Sequence, residues 1–220
     1  MLEGSVIGGL ALLLVAYLLG AIPWGVVIGR LLTGVDLRGH GSGSIGTTNA
    51  LRVYGRKVAI PVLVLDLLKG ALPVAVGYWL DLPMWSVAFA AVAATVGHCW
   101  SVFLKGTGGK GVATGGAAVV ALTPWALIGI PIMLLIVATT RYVSLASITL
   151  AVVVPFVFLG LAFFDLLSWW VVLATAIIGV IIILKHRGNI DRLRRGTENR
   201  FGERAATTSS APATPASASA

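Results

Sequence analysis

The amino-acid sequence predicts an all-α polytopic membrane protein. The expected fold is a seven-transmembrane-helix bundle with its N-terminus outside and its C-terminus cytoplasmic. Three observations predict this. Hydrophobic residues make up 58% of the 220 positions and charged residues 11%, the latter under half the roughly 25% usual in soluble domains. A soluble fold of this size could not hide that much apolar surface, whereas lipid replaces the missing polar exterior. Apolar stretches long enough to cross about 30 Å of hydrocarbon recur along the chain, and cationic residues crowd into alternate connections between them.

The apolar stretches are 5–29, 58–80, 84–104, 111–140, 143–163 and 166–184. Glu3, not a basic segment, precedes the first, so it is expected to be a retained span and not a cleaved secretory signal. The fourth is too long for one crossing, about 45 Å as a helix. Thr123-Pro124 lies near its middle, and proline favours a break there. Splitting it into 111–122 and 125–140 gives seven spans. With the N-terminus outside, every Lys and Arg except Lys69 then falls in cytoplasmic segments or at cytoplasmic helix ends, while Glu3, Asp81 and Asp165 occupy the outer turns. Six spans would turn Arg141 and the basic C-terminal segment outward. The net charge of +8 therefore speaks for topology and anionic ligands, not nucleic acid.

Asp66 and Lys69 lie inside the second span. Charges there are costly and usually pair toward the bundle interior, and their i, i+3 spacing puts them on one face. A structural ion pair is the expected arrangement, with Lys69 also able to reach a ligand. The single cysteine, Cys99, excludes an internal disulfide and is expected to be a small buried hydrophobe. Residues 1–204 form one integral-membrane domain. The remaining 205–220, small and polar with two prolines, is expected to be a disordered tail.

Four segments hold residues a mere connector would not need. In Asp36–Gly55, glycines let the backbone approach a ligand, Ser42, Thr47, Thr48 and Asn49 offer neutral hydrogen bonds, and Arg38 and Arg52 offer forks suited to phosphate. In Gly97–Thr114, Gly108, Gly109 and Gly111 flank Lys110 just before an apolar helix, a pattern that makes an anion cradle. Thr140–Ser147 places hydroxyls at the start of a span. His186–Asn199 closes the last span with a titratable ring, an amide and several arginines. A plain basic anchor for anionic lipid heads would account for those arginines alone.

Three motif matches carry less than they promise. Gly41-x-Gly43-x-x-Gly46 and Gly106-x-Gly108-x-x-Gly111 fit a dinucleotide fingerprint but lack the strand and βαβ unit it needs. Lys110 is followed by Gly111 where a P-loop has Ser or Thr. His186-x4-Asp191 fits the acid–base pair of thioester-dependent acyltransferases, yet Asp191 sits among arginines, where a local salt bridge is the cheaper explanation. His40, His98 and His186 show no metal-ligand spacing, so neither metal nor cofactor is expected.

At these segments the chain resembles the acyl-phosphate-dependent glycerol-3-phosphate acyltransferases of bacterial membranes, the PlsY family. The residues that carry the resemblance are Gly41-Ser-Gly-Ser-Ile-Gly-Thr-Thr-Asn49 with Arg52 and Gly55, then Asp66-Leu-Leu-Lys-Gly70 and Gly97-His98. Phe103-Leu-Lys105, Gly108-Gly-Lys-Gly-Val-Ala-Thr114, Arg141-Tyr-Val-Ser-Leu-Ala-Ser147 and His186-x-x-Asn-Ile-x-Arg-Leu-x-x-Gly-Thr-Glu198 complete the set, in the family's order. Ser44, Trp100-Ser101 and Gly106-Thr107 depart from the usual pattern.

The resemblance implies a multi-pass enzyme of the bacterial plasma (inner) membrane with its active site at the cytoplasmic face. It would transfer an acyl group from acyl phosphate to the 1-hydroxyl of sn-glycerol 3-phosphate, giving lysophosphatidic acid and phosphate, the first acylation of phospholipid biosynthesis. A soluble enzyme that makes acyl phosphate is an implied partner. His186, Asn189, Lys110, Ser42 and Arg52 are the expected catalytic residues. Asn49, Thr48, Gly108, Gly109, Gly111, Lys105, Ser144, Ser147, His98 and Lys69 are expected to line the substrates. Lys110 and its glycines would cradle the acyl phosphate, and Arg52 and Ser42 would grip glycerol 3-phosphate. His186 or the donor's own phosphate would take the hydroxyl proton. Glu198 is expected to tie the tail to nearby arginines. The alternative from another class is a transporter or flippase for an anionic solute, in which polar groups should gather near mid-depth.

Overall fold

The computed structural model describes residues 2–203, and side chains from Ser5 onward. The Glu3 side chain, Arg204 and the tail 205–220 lie outside the described residues. Among the described residues, the chain forms ten α-helices joined by 3-10 turns, with no strand. An apolar chain must satisfy its backbone polar groups internally, which helices do within one segment.

The first apolar stretch, expected as one helix over 5–29, is interrupted. Helix α1 (Leu2–Ala21) ends before Ile22-Pro23, and α2 (Trp24–Thr33) resumes. Pro23 lacks an N–H and disfavours helical geometry at the preceding residue. The carbonyls freed at this break are not left bare. Ser101 Oγ donates to Ala21 O at 2.5 Å, and Lys69 Nζ donates to Ile22 O at 2.8 Å.

After α3 (Thr47–Tyr54), α4 (Arg56–Trp79) and α5 (Met84–Cys99) form an antiparallel pair. The stretch expected as a span to 104 stops at Cys99, because Trp100–Leu104 turns into a tight loop. The break expected at Thr123-Pro124 is present. Helix α6 (Val112–Leu122) ends at an extended Thr123, and a 3-10 turn over Pro124–Ile128 leads into α7 (Gly129–Thr140). Helix α8 (Val143–Phe163) pairs with α9 (Trp169–Lys185), and α10 (Arg187–Arg194) leaves α9 at a bend of 58°.

Three runs, Ser5–Thr33, Arg56–Trp79 and Val143–Phe163, are long and apolar enough to cross a bilayer, and α9 with α10 makes a fourth. Helices α5, α6 and α7 are apolar but shorter.

Small residues let the helices approach closely. Alanines 88, 90, 91 and 94 of α5 are fully buried. Gly20 of α1 lies against the backbone of Ala94, and Gly97 of α5 against the Tyr17 carbonyl, with no room for a Cβ on either. Such contacts drive association where the surroundings are already apolar. Outward, the helices present Ile7, Leu134, Leu135 and Phe156. At one end of the bundle Trp79, Trp125, Trp169 and Trp170 are exposed, as residues of a membrane interface are. The opposite end gathers the polar connections.

Candidate active site

Four segments meet at the polar end. The connector after α2 is shaped by Asp36, which accepts from the Arg38 backbone at 3.0 Å and pairs with Arg38 at 2.7 Å and Arg30 at 2.5 Å. Hydrogen bonds from Arg38 hold its carboxyl far below the usual range. The loop then folds around Asn49. Its Nδ2 donates to the carbonyls of Ser44 (2.8 Å) and His40 (3.0 Å), while its Oδ1 accepts from the Ser42 N–H (2.9 Å). Gly41, at φ +59°, sits so close to that amide that a side chain would collide with it. Asn49 thus shapes Gly41–Gly46 through its own hydrogen bonds.

The loop delivers the chain into α3, where Thr48 and Arg52 share a face at i, i+4. Ser42 stands exposed nearby. Arg52 Nε and Thr47 Oγ1 are buried without a hydrogen-bond partner, the kind of orphan that asks for a ligand. Burial lowers the Arg52 pKa, with Glu198 and Glu203 pulling it back up. An arginine so placed stays cationic.

The second segment closes on itself. Ser101 N donates to Thr107 O (3.0 Å) and Gly106 N to Ser101 O (2.9 Å), with Lys105 at φ +53° and exposed at the tip. Gly108 and Gly109 then pack on the end of α5, and Gly109 N donates to His98 O at 3.0 Å. A Cβ on either glycine would overlap His98 or Cys99, so their close approach is to α5. Gly111, at φ +79°, caps α6. Between them, burial lowers the Lys110 pKa to about 8. Glu198 opposes the shift, and the charges of Arg192 and Arg52 reinforce it. Gly43 of the first loop and Thr107 and Gly108 of the second line one open cleft with Arg38 and Ile45.

The third and fourth segments are joined by Glu198. Its Oε1 accepts from Ser144 Oγ (2.8 Å) and Asn189 Nδ2 (2.6 Å), and its Oε2 from Arg192 Nε (2.8 Å). Burial alone would raise its pKa, but the bonds from Asn189, Ser144 and Arg192 outweigh it, and the carboxyl titrates below its usual value. The chain beyond folds back over the α7–α8 joint. Phe201 N donates to Arg141 O at 2.6 Å, Arg141 Nη2 returns a bond to Phe201 O at 2.9 Å, and Arg200 lies over the Tyr142 ring.

His186, buried at the α9–α10 bend, has Nδ1 at 2.7 Å from Ile182 O. A carbonyl can only accept, so Nδ1 carries a proton and the neutral ring keeps its lone pair on Nε2. Asp191 pairs with Arg195 at 2.9 Å, the local salt bridge expected for it.

The structure thus brings Arg52, Lys110, His186 and Asn189 together around Glu198. Two expected ligand contacts are turned inward. Lys69 is buried, 2.9 Å from Asp66 Oδ1 and bonded to Ile22 O. His98 is buried beneath Gly109. Ser147 is buried and donates its hydroxyl to Val143 O (2.8 Å) within its own helix. Sequence reasoning did not single out Arg192 as a site residue, nor the Arg141–Phe201 strap. The family pattern around His186 contained Arg192, and a lone glutamate in an arginine-rich segment was the signal that could have led to it.

Comparisons with known proteins show the family. Residues 10–196 match the family model described as glycerol-3-phosphate acyltransferase. The chain is 46% identical over 187 residues to the glycerol-3-phosphate acyltransferase of Trichlorobacter lovleyi, covering 84% of this chain and 94% of that one. It is 44% identical over 194 residues to the one of Rubrobacter xylanophilus, covering 88% and 95%. Among solved structures it is similar to PlsY, an integral membrane glycerol 3-phosphate acyltransferase. Against the glycerol 3-phosphate form the TM-score is 0.81 at 42% identity, covering 89% of this chain and 96% of that one. Against the lysophosphatidic acid form it is 0.79 at 41%.

Proposed function

As the chain belongs to the glycerol-3-phosphate acyltransferase family, we propose that it moves an acyl group from acyl phosphate to the 1-hydroxyl of sn-glycerol 3-phosphate. The products are lysophosphatidic acid and inorganic phosphate. The observation that carries this is the meeting of Arg52, Lys110 and Arg192 around the Glu198 carboxylate, with His186 and Asn189 at the same place. That charge excess suits two anionic reactants.

Acyl phosphate is a mixed anhydride with a good leaving group. Holding it against the acceptor can supply roughly 7–11 kcal/mol of the barrier. Lys110 neutralises the phosphate as it departs. Arg52, with its unpartnered Nε, and Thr48 and Ser42 beside it hold the phosphate of glycerol 3-phosphate. Asn189, fixed by Glu198, orients the acceptor. The hydroxyl oxygen attacks the acyl carbon, the bond from that carbon to the phosphate oxygen breaks, and the hydroxyl proton goes to His186 Nε2 or to the leaving phosphate.

The site lies at the cytoplasmic face of a bacterial inner membrane crossed by seven spans. Three features support this. Every described Lys and Arg but Lys69 lies toward the polar end, Asp81 and Asp165 lie at the tryptophan-rich end, and the chain breaks at Thr123-Pro124. The short helices α5, α6 and α7 would span by local thinning of the bilayer or by tilting the longer ones.

The test is a donor comparison on purified protein with labelled glycerol 3-phosphate, offering acyl phosphate, acyl-CoA and acyl-carrier protein side by side. Turnover with acyl phosphate alone, releasing one phosphate per lysophosphatidic acid, is expected. Equal or better turnover with a thioester would overturn the donor assignment.

A further inference from the structure

Beneath the Gly108–Gly111 loop, three helices bring four buried polar side chains together: Asp66 and Lys69 of α4, His98 of α5 and Thr114 of α6. His98 Nδ1 lies 3.2 Å from Thr114 Oγ1 and 3.8 Å from Asp66 Oδ1. Where these groups meet, α4 and α6 touch backbone to backbone, for a Cβ on Gly70 would strike the Thr114 carbonyl. A buried ion pair is weak support for stability, and its best-attested use is to fix register.

What it would fix here is the loop above. Gly109 N donates to the His98 carbonyl, and the Gly109 backbone lies against the Nε2 edge of the imidazole, where a Cβ would strike Nε2. The ring's rotation therefore sets the seat of Gly109, and Lys110 is the next residue. Gly111 presses on Cys99 and Thr95, one turn of α5. With the Thr114 hydroxyl within hydrogen-bond distance of Nδ1 and Asp66 on the same side, the ring has one orientation that keeps the Thr114 contact.

We infer that Thr114, His98 and Asp66 are positioning residues for the donor phosphate: they lock the His98 ring so that the glycine loop presents Lys110 at one height. The inference rests on the reading of Lys110 as the donor-phosphate ligand. None of the three touches substrate. The consequence is asymmetric, because the acceptor phosphate is held from α3, on another segment.

The experiment compares Thr114→Val, which keeps the shape and loses the hydroxyl, with Thr114→Ser, which keeps it. Both are assayed with acyl phosphate and glycerol 3-phosphate varied independently. Losing one net hydrogen bond corresponds to roughly three- to tenfold. Thr114→Val should raise KM for acyl phosphate by about that factor, leave KM for glycerol 3-phosphate within about twofold, and be rescued by Thr114→Ser. A general packing defect would move both KM values or the melting temperature alone, and that result, or no change at all, overturns the inference.

If Thr114→Val fails to fold, His98→Asn and His98→Gln decide. The asparagine amide sits near the place of Nδ1 and the glutamine amide near Nε2, so Asn should keep the lower donor KM. A Gln variant equal to or better than Asn overturns the inference, as does loss of fold in all three variants while Thr114→Ser folds. Should the wild type prove to use another donor, the donor assignment fails by itself. The same KM split measured with that donor then tests the loop.

Discussion

Lys110 gives the prediction with the most definite magnitude. Its pKa in the free protein is about 8, against about 10.4 for an unperturbed lysine, because it is buried and shares its surroundings with Arg52 and Arg192. Only the ammonium form can neutralise a departing phosphate. The kcat/KM for acyl phosphate reports the free enzyme, so it should be nearly flat to pH 7, half-maximal near pH 8 and down to about one-tenth at pH 9. Alkyl phosphates lose their second proton near pH 6, so the substrates do not produce this limb. The profile of kcat should break at higher pH, since a bound dianion favours the ammonium form. Lys110→Arg is the control, because guanidinium stays charged throughout. It should lower activity by altered geometry and abolish the alkaline limb. The assay is initial-rate phosphate release in detergent or nanodiscs between pH 6 and 10. A limb that persists unchanged in Lys110→Arg would refute the assignment, and so would a flat wild-type profile to pH 10.

Three further outcomes follow from the same geometry. Arg52→Ala should lower kcat/KM for glycerol 3-phosphate by about a hundredfold or more, the cost of removing one partner of a buried charge contact, and Arg52→Lys should recover only part of it. Glu198→Gln removes the group that raises the Lys110 pKa, so the alkaline limb should move to lower pH. The strap beyond residue 195 should also become sensitive to limited proteolysis. Because the Glu198 pKa is depressed in the folded protein, its contribution is present above the ordinary carboxylate range and is lost on acidification, so acid should release the same strap in the wild type. Asp191→Asn should leave turnover within about twofold, since an exposed i, i+4 pair with Arg195 contributes little. A large loss would instead favour a His186–Asp191 acid–base pair.

Residue spacing alone made some of this legible. The i, i+3 interval of Asp66 and Lys69 predicts their pairing, and the structure has it at 2.9 Å. Thr123-Pro124 marks a break because proline acts locally, whatever surrounds it. Ile22-Pro23 carries the same signal but sits in an unbroken apolar run, so hydropathy hides an interruption that the backbone cannot avoid. The orientation of polar side chains was not legible. Asn49 has the composition of a ligand contact, and whether its amide turns to a substrate or to its own loop depends on two left-handed glycines, Gly41 and Gly43. Gly108 and Gly109 fit an anion cradle equally well by sequence. That α5 ends against them is a tertiary fact with no local trace. Ser144 donates to Glu198, fifty-four positions away, a partner that no local pattern announces.

The disposition of hydroxyl and thiol groups decides between a covalent relay and direct transfer. A relay needs a nucleophile within reach of a base and open to the donor. Cys99 is fully buried. Ser101, Ser144 and Ser147 spend their hydroxyls on Ala21 O, Glu198 and Val143 O. Ser42 is exposed, yet among the described residues neither a histidine nor a carboxylate is hydrogen-bonded to its hydroxyl. Ser144 does face a carboxylate, but Glu198 already accepts from Asn189 and Arg192, which makes it a poor base. Direct transfer requires both substrates on the enzyme at once, so double-reciprocal plots at several fixed concentrations of glycerol 3-phosphate should intersect. Cys99→Ala should keep the pattern. Parallel lines, or labelled acyl group retained on protein after a donor-only incubation, would mean that one of these side chains moves out of the contacts seen here and carries the acyl group itself.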